Sequence, residues 1–265
     1  MTFRVLISTL CIFMGATSDS YGMSATAQQP TVLVTGSNRG IGLEFVKQYA
    51  AKGWRVIATT RRPNQAKALQ ALARSEANVT IELLDVTNGE HLASLAEKYR
   101  DQPIDVLINN AGVSGDFQGP GQSLGTLDYT TVDTFMSVNA IGPLRVTEAL
   151  YGNVKLGDQK KVIAITALLG VHSFKYGGFS GAYWYKVSKA AMNAAVYNLA
   201  QDALKDGITV TLLTPGEVAV EKVLDPGPNF ISPEVSILGM IDIIDQLTPE
   251  DAGAIIRYNG KRYSF

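Results

Sequence analysis

The chain has 265 residues, of which 46% are hydrophobic and 18% are charged, and its formal net charge is −1. This length and apolar content are enough for one large core, so we expect a single domain. The near-neutral charge gives no electrostatic reason to expect nucleic acid or an anionic membrane as partner, and favours a small molecule. With one cysteine, Cys11, and two widely separated histidines, His91 and His172, a disulfide scaffold, thiolate catalysis and a metal centre are all poorly supported.

Residues 1–27 are interpreted as a leader. Arg4 precedes an apolar run from Val5 to Ala16, and small residues follow at Ala25-Thr26-Ala27. This pattern is typical of a secretory signal peptide and predicts export to the periplasm. The run is shorter than the roughly twenty residues of a spanning helix, so no stable membrane anchor is expected. A start at Met23, giving a cytoplasmic protein, is the alternative.

From Thr31 onward, short β-branched runs alternate with longer segments of helical period. This alternation predicts an α/β fold over residues 30–265, with a doubly wound parallel sheet between two helical layers. The predicted strands are Thr31–Thr35, Arg55–Thr59, Val79–Leu83, Ile104–Asn109, Lys161–Thr166 and Ile208–Leu213. The predicted helices are Ile41–Lys52, Pro63–Arg74, Asn88–Arg100, Thr131–Tyr151 and Tyr183–Lys205.

Two helix starts carry capping signatures. Thr87 with Glu90 predicts a capping box, and Ser232-Pro233-Glu234 predicts a cap followed by proline at the first helical position. Two long irregular stretches, Gly112–Asp128 and Pro215–Ile231, are candidate walls or lids of a pocket.

A glycine-rich loop joins the first strand to the first helix. It reads Gly36-Ser37-Asn38-Arg39-Gly40-Ile41-Gly42. Glycines at such a junction allow a tight turn and let backbone N–H groups approach a pyrophosphate at the positive end of a helix. The loop therefore predicts a dinucleotide site on a Rossmann fold.

The end of the second strand indicates which dinucleotide is bound. NAD-specific folds place an acid there to bind the ribose 2′-hydroxyl, whereas this strand ends Thr59-Thr60-Arg61-Arg62. Arg61, and Arg39 from the glycine loop, can pair with a 2′-phosphate through planar, charge-assisted hydrogen bonds. We therefore predict NADP(H) in preference to NAD(H). The alternative is that both arginines are solvated surface charges.

Tyr185 and Lys189 are four residues apart in a helical segment, so their side chains share one face. A neighbouring cation can lower the phenol pKa from about 10 towards neutrality and make Tyr185 an acid or base. In isolation such a pair is usually an ordinary surface pair.

The landmarks taken together resemble the short-chain dehydrogenase/reductase family over almost all of Thr31–Phe265. They occur in the family's order, namely Gly36, Gly40 and Gly42, then Asn109-Asn110-Ala111-Gly112, Asn139, Tyr185 with Lys189, and Pro215-Gly216. The C-terminal part is similar to the C-factor and sniffer branch of carbonyl reductases. The segments that carry this narrower resemblance are Ser232-Pro233-Glu234, Gly239-Met240, Leu247 to Asp251 and Tyr258-Asn259-Gly260.

The resemblance implies specific roles. Tyr185 would protonate a carbonyl oxygen while a nicotinamide delivers hydride, Lys189 would also hold the nicotinamide ribose, and Asn139 would anchor a relay water. Further cofactor contacts would come from Asp85 and Val86 at the adenine, from Asn109, Ala111 and Gly112 along the adenosine, and from Pro215, Gly216 and Val218. Members often form dimers or tetramers through the helices near Thr131 and Tyr183.

One position departs from the family pattern. The family's catalytic serine is the second residue of Ser-Ser-x-x-Gly, which here reads Thr166-Ala167-Leu168-Leu169-Gly170. Loss of such a donor costs roughly a hundred- to a thousandfold in rate. Thr166, Ser173 and Ser180 are candidate substitutes. Strand alternation argues against Thr166, and Ser173 is preferred.

Two functions follow from this pattern. The first is NADPH-dependent reduction of a carbonyl, or the reverse alcohol oxidation. The second is a dinucleotide-binding sensor or signalling protein with vestigial chemistry.

Six apolar or aromatic residues have two interpretations. They line an apolar substrate pocket, or they pack in the core or at an oligomer interface. They are Leu168, Leu169, Phe174, Tyr176, Phe179 and Trp184.

Overall fold

A computed structural model describes the first residue and residues 29–117, 119–174, 180–219 and 230–264. Apart from Met1, the leader predicted over residues 1–27 lies outside these ranges, as do Tyr176 and Phe179. Within the described ranges, no helix combines the length and apolar character needed to cross a membrane.

The described strands form one sheet. They are β1 (Thr31–Val34), β2 (Arg55–Thr60), β3 (Val79–Leu83), β4 (Val106–Asn109), β5 (Lys161–Ile165), β6 (Thr209–Thr214), β7 (Ile255–Arg257) and β8 (Arg262–Tyr263). The order across the sheet is β3-β2-β1-β4-β5-β6-β7-β8. All neighbours are parallel except β7 and β8. All six predicted strands are confirmed, and β7 and β8 were missed.

Helices cover both faces of the sheet. They are α1 (Gly40–Ala51), α2 (Lys67–Ser75), α3 (Gly89–Lys98), α4 (Val132–Phe135), α5 (Gly142–Ala149), α6 (Tyr151–Leu156), α7 (Tyr183–Ala203) and α8 (Pro233–Gln246). Along β1, Leu33 packs into one apolar cluster, whereas Val32 and Val34 pack into the other. Such alternation is what a strand buried on both faces produces. The predicted doubly wound, three-layer α/β fold is confirmed.

The helix predicted over Thr131–Tyr151 is not continuous. Between α4 and α5, Met136–Ile141 adopts π-helical hydrogen bonding. Pro143 has no N–H, so it cannot donate to the carbonyl of Asn139 four residues earlier, and the regular pattern is interrupted here. The interruption places Asn139 in the π-helical segment.

One of the two predicted helix caps is wrong. The N-cap of α3 is Asn88, whose Oδ1 accepts from the backbone N–H groups of Glu90 at 2.8 Å and His91 at 3.0 Å. Thr87 instead donates its N–H and hydroxyl to Asp85 Oδ1 at 3.0 and 2.7 Å. The cap predicted at Ser232 is confirmed, because its hydroxyl oxygen accepts from the N–H of Val235 at 3.3 Å.

Candidate active site

The predicted site residues follow the carboxyl ends of parallel strands, which meet at one edge of the sheet. The chain winds outwards in opposite directions from β1 and β4, because β2 and β3 lie on one side of this pair and β5 and β6 on the other. In open α/β sheets, a crevice opens at this switch point. The fold therefore gathers the glycine loop and the segment after β4 at one place.

The glycine loop packs closely on the segment that follows β4. Gly36 has a φ of +68°, and a Cβ added there would lie 2.8 Å from the Cα of Ala111. A Cβ added at Gly42 would lie 2.5 Å from Asn110 Nδ2. That amide donates to the carbonyls of Thr35 at 2.8 Å and Gly36 at 3.2 Å. Both glycines are needed because any side chain would collide with this junction.

The start of α1 is open to a ligand. Ser37 is buried, and its hydroxyl donates to the carbonyl of Val34 at 2.7 Å, so its side chain holds the turn instead of facing the cavity. Among the described residues, the N-cap Arg39 adds no side-chain hydrogen bond to the first turn. The first-turn N–H groups and the positive end of the helix are therefore available to an anion.

A cavity of about 530 Å³ opens beside this loop. Its predicted lining residues are Gly36, Asn38, Arg39, Gly40, Ile41, Gly42, Arg61, Asp85, Val86, Ala111 and Gly112. Asn110, from the predicted Asn109 to Gly112 segment, also lines it, and lining residues that the sequence did not predict include Arg62, Gln65, Ser114 and Val138. Asn109 is an exception to the prediction. It is buried outside the cavity lining and its Nδ2 donates to the Thr147 hydroxyl at 3.0 Å, whereas its buried Oδ1 has no hydrogen-bond partner among the described residues.

Charges of both signs line the cavity. Arg39, Arg61 and Arg62 are exposed at its rim. Burial alone would raise the pKa of Asp85, but hydrogen bonds from Thr87 and the positive charge of Arg61 lower it below its usual value. Asp85 therefore stays ionised at neutral pH, and the guanidinium groups leave the rim with positive charge in excess.

Tyr185 and Lys189 share one face of α7, as predicted. The Lys189 ammonium lies 5.9 Å from the centre of the Tyr185 ring and donates to the carbonyl of Ile165 at 2.7 Å. The expected lowering of the phenol pKa is wrong for this structure. Burial raises the pKa of Tyr185 to about 12 and lowers that of Lys189 to about 8, because desolvation disfavours both charged forms. The phenol is therefore protonated at neutral pH.

Asn139 joins the loop after β4 to α7. Its Oδ1 accepts from the N–H of Val113 at 2.8 Å, and its Nδ2 donates to the Val113 carbonyl at 2.8 Å and to Ser188 Oγ at 2.9 Å. The Ser188 hydroxyl donates to the carbonyl of Tyr185 at 2.9 Å. Both donors of the Asn139 amide are thus occupied, and the side chain holds the loop and the Tyr185 turn together.

The turn that contains Ala167 packs directly on α7. A Cβ added at Gly170 would lie 2.7 Å from the carbonyl carbon of Lys189. Among the candidate substitutes for the serine, Thr166 donates its hydroxyl to Asn193 Oδ1 at 2.5 Å, inside the core. Ser173 donates to the carbonyl of Ser264 at 2.7 Å, beyond the edge strand β8. Ser180 is exposed at the entrance of α7.

Aromatic residues beside Tyr185 differ from those expected. The Phe117 ring lies 4.9 Å from the Tyr185 ring, centre to centre. No periodic signal marks Phe117, because it lies in an irregular loop. Of the predicted apolar residues, Leu168 belongs to the core and Phe174 packs at 5.7 Å against Tyr263. Trp184 packs at 5.2 Å against Tyr129.

The segment after β6 forms the closed base of the second long loop. Gly216 has a φ of +79° and packs against Tyr258, where an added Cβ would lie 2.9 Å from the ring. The N–H of Ala219 donates to the carbonyl of Ile231 at 2.9 Å, and the N–H of Ile231 donates to the carbonyl of Glu217 at 2.9 Å. Val218 is buried in this bridge. Pro215 precedes it, and its carbonyl accepts from the Ser236 hydroxyl at 2.8 Å.

Comparison with known proteins agrees with this geometry. The family model described as "short chain dehydrogenase" matches residues 30–225. The chain therefore belongs to the short-chain dehydrogenase/reductase family, which the sequence landmarks predicted.

Two relatives illustrate the branch. The chain is 39% identical over 159 residues to C-signal of Myxococcus xanthus, a match that covers 60% of this chain and 90% of that protein. It is 34% identical over 235 residues to 1-hydroxy-2-glutathionyl-2-methyl-3-butene dehydrogenase of Rhodococcus sp. strain AD45, covering 87% of this chain and 97% of the relative.

Solved structures point to the same branch. The NADPH-bound carbonyl reductase from chicken fatty liver has a TM-score of 0.82 at 27% identity, and the match covers 89% of this chain and 99% of that structure. The carbonyl reductase Sniffer of D. melanogaster has a TM-score of 0.79 at 25% identity, with 89% of this chain and 100% of that structure covered. The resemblance to the C-factor and sniffer branch is confirmed.

Replacing Gly42 by alanine tests the glycine junction. The new methyl group would collide with Asn110 and with the carbonyl of Gly36, so we expect Gly42→Ala to weaken binding of a nicotinamide dinucleotide by at least about tenfold. Gly152→Ala is the matched control, since an added Cβ there meets nothing within 4 Å. Calorimetric titration with NADPH measures both, and unchanged affinity in Gly42→Ala would contradict the close packing.

Proposed function

We propose that the protein is an NADP(H)-dependent oxidoreductase that transfers hydride between nicotinamide and a carbonyl or alcohol substrate. The observation that carries the proposal is the pair Tyr185 and Lys189 on α7. The Lys189 ammonium lies 5.9 Å from the centre of the Tyr185 ring. The names of two structural neighbours, both carbonyl reductases, support the same reaction class.

The cavity suits a dinucleotide. Its glycine junction leaves no room for side chains, and the first turn of α1 presents N–H groups to a diphosphate. Asn38, Gly40 and Ile41 would contact the diphosphate. Asp85 and Val86 would contact the adenine ring, and Ala111 and Gly112 would line the adenosine. Pro215, Gly216 and Val218 are proposed as further cofactor contacts.

The preference for NADP(H) over NAD(H) rests on the arginines of the rim. Arg61 lies at the end of β2 and lines the cavity with Arg39. A guanidinium binds phosphate oxygens through paired N–H groups, whereas a ribose hydroxyl offers it no charge. The carbonyl reductase from chicken fatty liver, a structural neighbour that binds NADPH, supports this choice.

Tyr185 is proposed as the acid in carbonyl reduction. When bound, NADPH supplies hydride to the carbonyl carbon. A phenol that is protonated at neutral pH is in the correct state to give its proton to the substrate oxygen. The Lys189 ammonium then stabilises the phenolate that remains. Asn139 holds the turn that carries Tyr185 through Ser188.

A second function is favoured by one observation, the methyl side chain of Ala167 at the serine position. Without that hydroxyl the substrate oxygen loses one hydrogen-bond donor, which removes stabilisation of the transition state. The alternative is a dinucleotide-binding signalling or sensor protein with little or no turnover. One relative, C-signal of Myxococcus xanthus, is named for signalling, and this name supports the alternative.

Two substitutions separate these functions. For an enzyme, Tyr185→Phe lowers carbonyl reduction by about a hundred- to ten-thousandfold because the proton donor is lost, with NADPH affinity nearly unchanged. Ala167→Ser raises turnover, by up to roughly a thousandfold, because it restores the donor. Steady-state rates with a panel of aldehydes and ketones measure both. If neither the wild type nor Ala167→Ser reduces any compound of the panel while both still bind NADPH, the sensor is favoured.

As the pH rises, the rate of reduction should respond to the loss of the Lys189 charge before Tyr185 ionises. Tyr185 stays protonated up to about pH 12, whereas Lys189 loses its charge as pH rises through about 8. We therefore expect kcat/KM for reduction to be constant below about pH 7 and to fall above about pH 8, because the phenolate loses its neighbouring cation. Lys189→Met should be slow and should lack this decline. An unchanged wild-type rate up to about pH 10 would contradict the assignment.

We further propose a homo-oligomer formed through α7. Five exposed residues recur along this helix at alternating spacings of four and three, and all are small or apolar. They are Tyr183, Val187, Ala190, Ala194 and Tyr197. Such a stripe is typical of a helix that packs against a partner helix. The family's tendency to form dimers or tetramers supports a second copy of the chain as that partner.

A charge placed on this stripe tests the interface. We expect Ala190→Glu to shift the protein to monomer, because a carboxylate would be buried between two copies. Ala93→Glu on the exposed face of α3 is the matched control and should leave the assembly unchanged. Light scattering after size-exclusion chromatography measures the mass. A wild-type monomer, or an Ala190→Glu oligomer, would refute this surface.

A further inference from the structure

The helix that carries Tyr185 begins without a cap of its own. The residue before α7 is Ala182, which adopts a left-handed backbone conformation with φ of +54° and has only a methyl side chain. The first N–H groups of a helix need acceptors from outside the helix. Tyr183 and Tyr185 are the first and third residues of α7, so both N–H groups have this need.

Gln122, from the loop after β4, supplies these acceptors. Its backbone carbonyl accepts from the N–H of Tyr183 at 3.2 Å. Its side-chain Oε1 accepts from the N–H of Tyr185 at 3.1 Å. One residue, distant in sequence, therefore caps the first turn of α7 twice.

The other end of the same amide holds the loop itself. Gln122 is only 4% exposed, and its Nε2 donates to the carbonyls of Ser114 at 2.9 Å and Asp116 at 3.1 Å. A Cβ added at Gly115 would lie 2.5 Å from this Nε2, and Gly115 has a φ of +65°. The loop thus bends around the amide, and a side chain at Gly115 would expel it.

The loop held by Gln122 also carries the aromatic neighbour of Tyr185. The carbonyl of Phe117 accepts from the N–H of Ala182 at 2.8 Å, and its ring lies 4.9 Å from the Tyr185 ring. A Cβ added at Gly181 would lie 2.5 Å from the Phe117 carbonyl, so the chain must approach closely here. The backbone and the ring of Tyr185 are therefore both located by one loop.

We propose that Gln122 is a positioning residue for Tyr185. From the loop after β4 it caps the first turn of α7 and thereby fixes the position of the phenol. This inference rests on the proposed function for its kinetic consequence, and on the hydrogen bonds alone for its structural one. An acid displaced by about 1 Å can lose about a hundredfold in rate, so a residue that fixes its backbone controls turnover without touching substrate.

Gln122→Met tests the proposal, because methionine keeps the length of the side chain and removes all three of its hydrogen bonds. The matched control is Gln102→Met. Gln102 accepts from Arg55 at 2.6 Å and donates to the carbonyl of Lys98 at 3.3 Å, and it lies at the opposite edge of the sheet. Gln122→Glu is the third variant, since it keeps an acceptor for the N–H of Tyr185.

The kinetic readout is the split between kcat and KM. We expect Gln122→Met to lower kcat for carbonyl reduction about ten- to a hundredfold, with NADPH affinity within about twofold of wild type. Gln122→Glu should recover part of the loss, and Gln102→Met should behave as wild type. If Gln122→Met loses only stability, with kcat unchanged, the positioning role is refuted.

A second readout does not depend on turnover. Amide hydrogen exchange across Tyr183 to Lys189 should accelerate at least about tenfold in Gln122→Met and remain unchanged in Gln102→Met. The ¹³Cζ resonance of Tyr185, assigned by its loss in Tyr185→Phe, should shift in Gln122→Met alone. If the wild type shows no turnover but Gln122→Met shows both changes, the proposed reaction is wrong and the capping role of Gln122 is supported. Unchanged exchange and an unmoved resonance would overturn the cap itself.

Discussion

The whole site depends on a junction that has no space for side chains. At Gly36 and Gly42 the loop after β1 meets the segment after β4, and the Asn110 amide closes the contact through the Thr35 and Gly36 carbonyls. A glycine at each point lets the two loops approach until the first turn of α1 faces the cavity. The open N–H groups of α1 therefore face the cavity because of this approach.

The chemistry of the site depends on α7, which is held from three directions. Lys189 donates to the carbonyl at the end of β5, Asn139 reaches Ser188 from the π-helical segment, and Gln122 caps the first turn. Burial dominates the protonation of Tyr185 and Lys189 and keeps the phenol neutral, because desolvation disfavours both charged forms. This combination suits proton donation better than proton removal, and for the proposed reaction it makes the missing hydroxyl at Ala167 the principal weakness.

Much of this could be predicted from the sequence, because strong local signals coincide with the fold. Alternating β-branched and helical segments predicted the sheet and its layers, and glycine spacing predicted the β1 to α1 junction. The short strands β7 and β8 have too few residues for a periodic signal. The π-helical segment could have been predicted only by noting that Pro143 cannot donate to the carbonyl of Asn139. Gln122 and Phe117 lie in an irregular loop, and only the tertiary fold shows that they meet α7.

Other differences concern electrostatics and orientation, which spacing alone does not determine. The pair Tyr185 and Lys189 was predicted from its spacing of four, but the direction of the phenol pKa depends on how deeply both groups are buried. Asn109 was expected at the cofactor, whereas its amide turns towards Thr147. Ser173 was the preferred replacement for the missing serine, but it is directed to the carbonyl of Ser264.

The most direct test of the account is calorimetric titration of the purified protein with NADPH and, in parallel, with NADH. We predict saturable binding of NADPH that is at least about tenfold tighter than that of NADH, because Arg39 and Arg61 are proposed to recognise the 2′-phosphate. Equal affinity for the two would contradict the role of the arginines. The absence of any heat of binding with either would contradict the central claim that the glycine junction holds a dinucleotide.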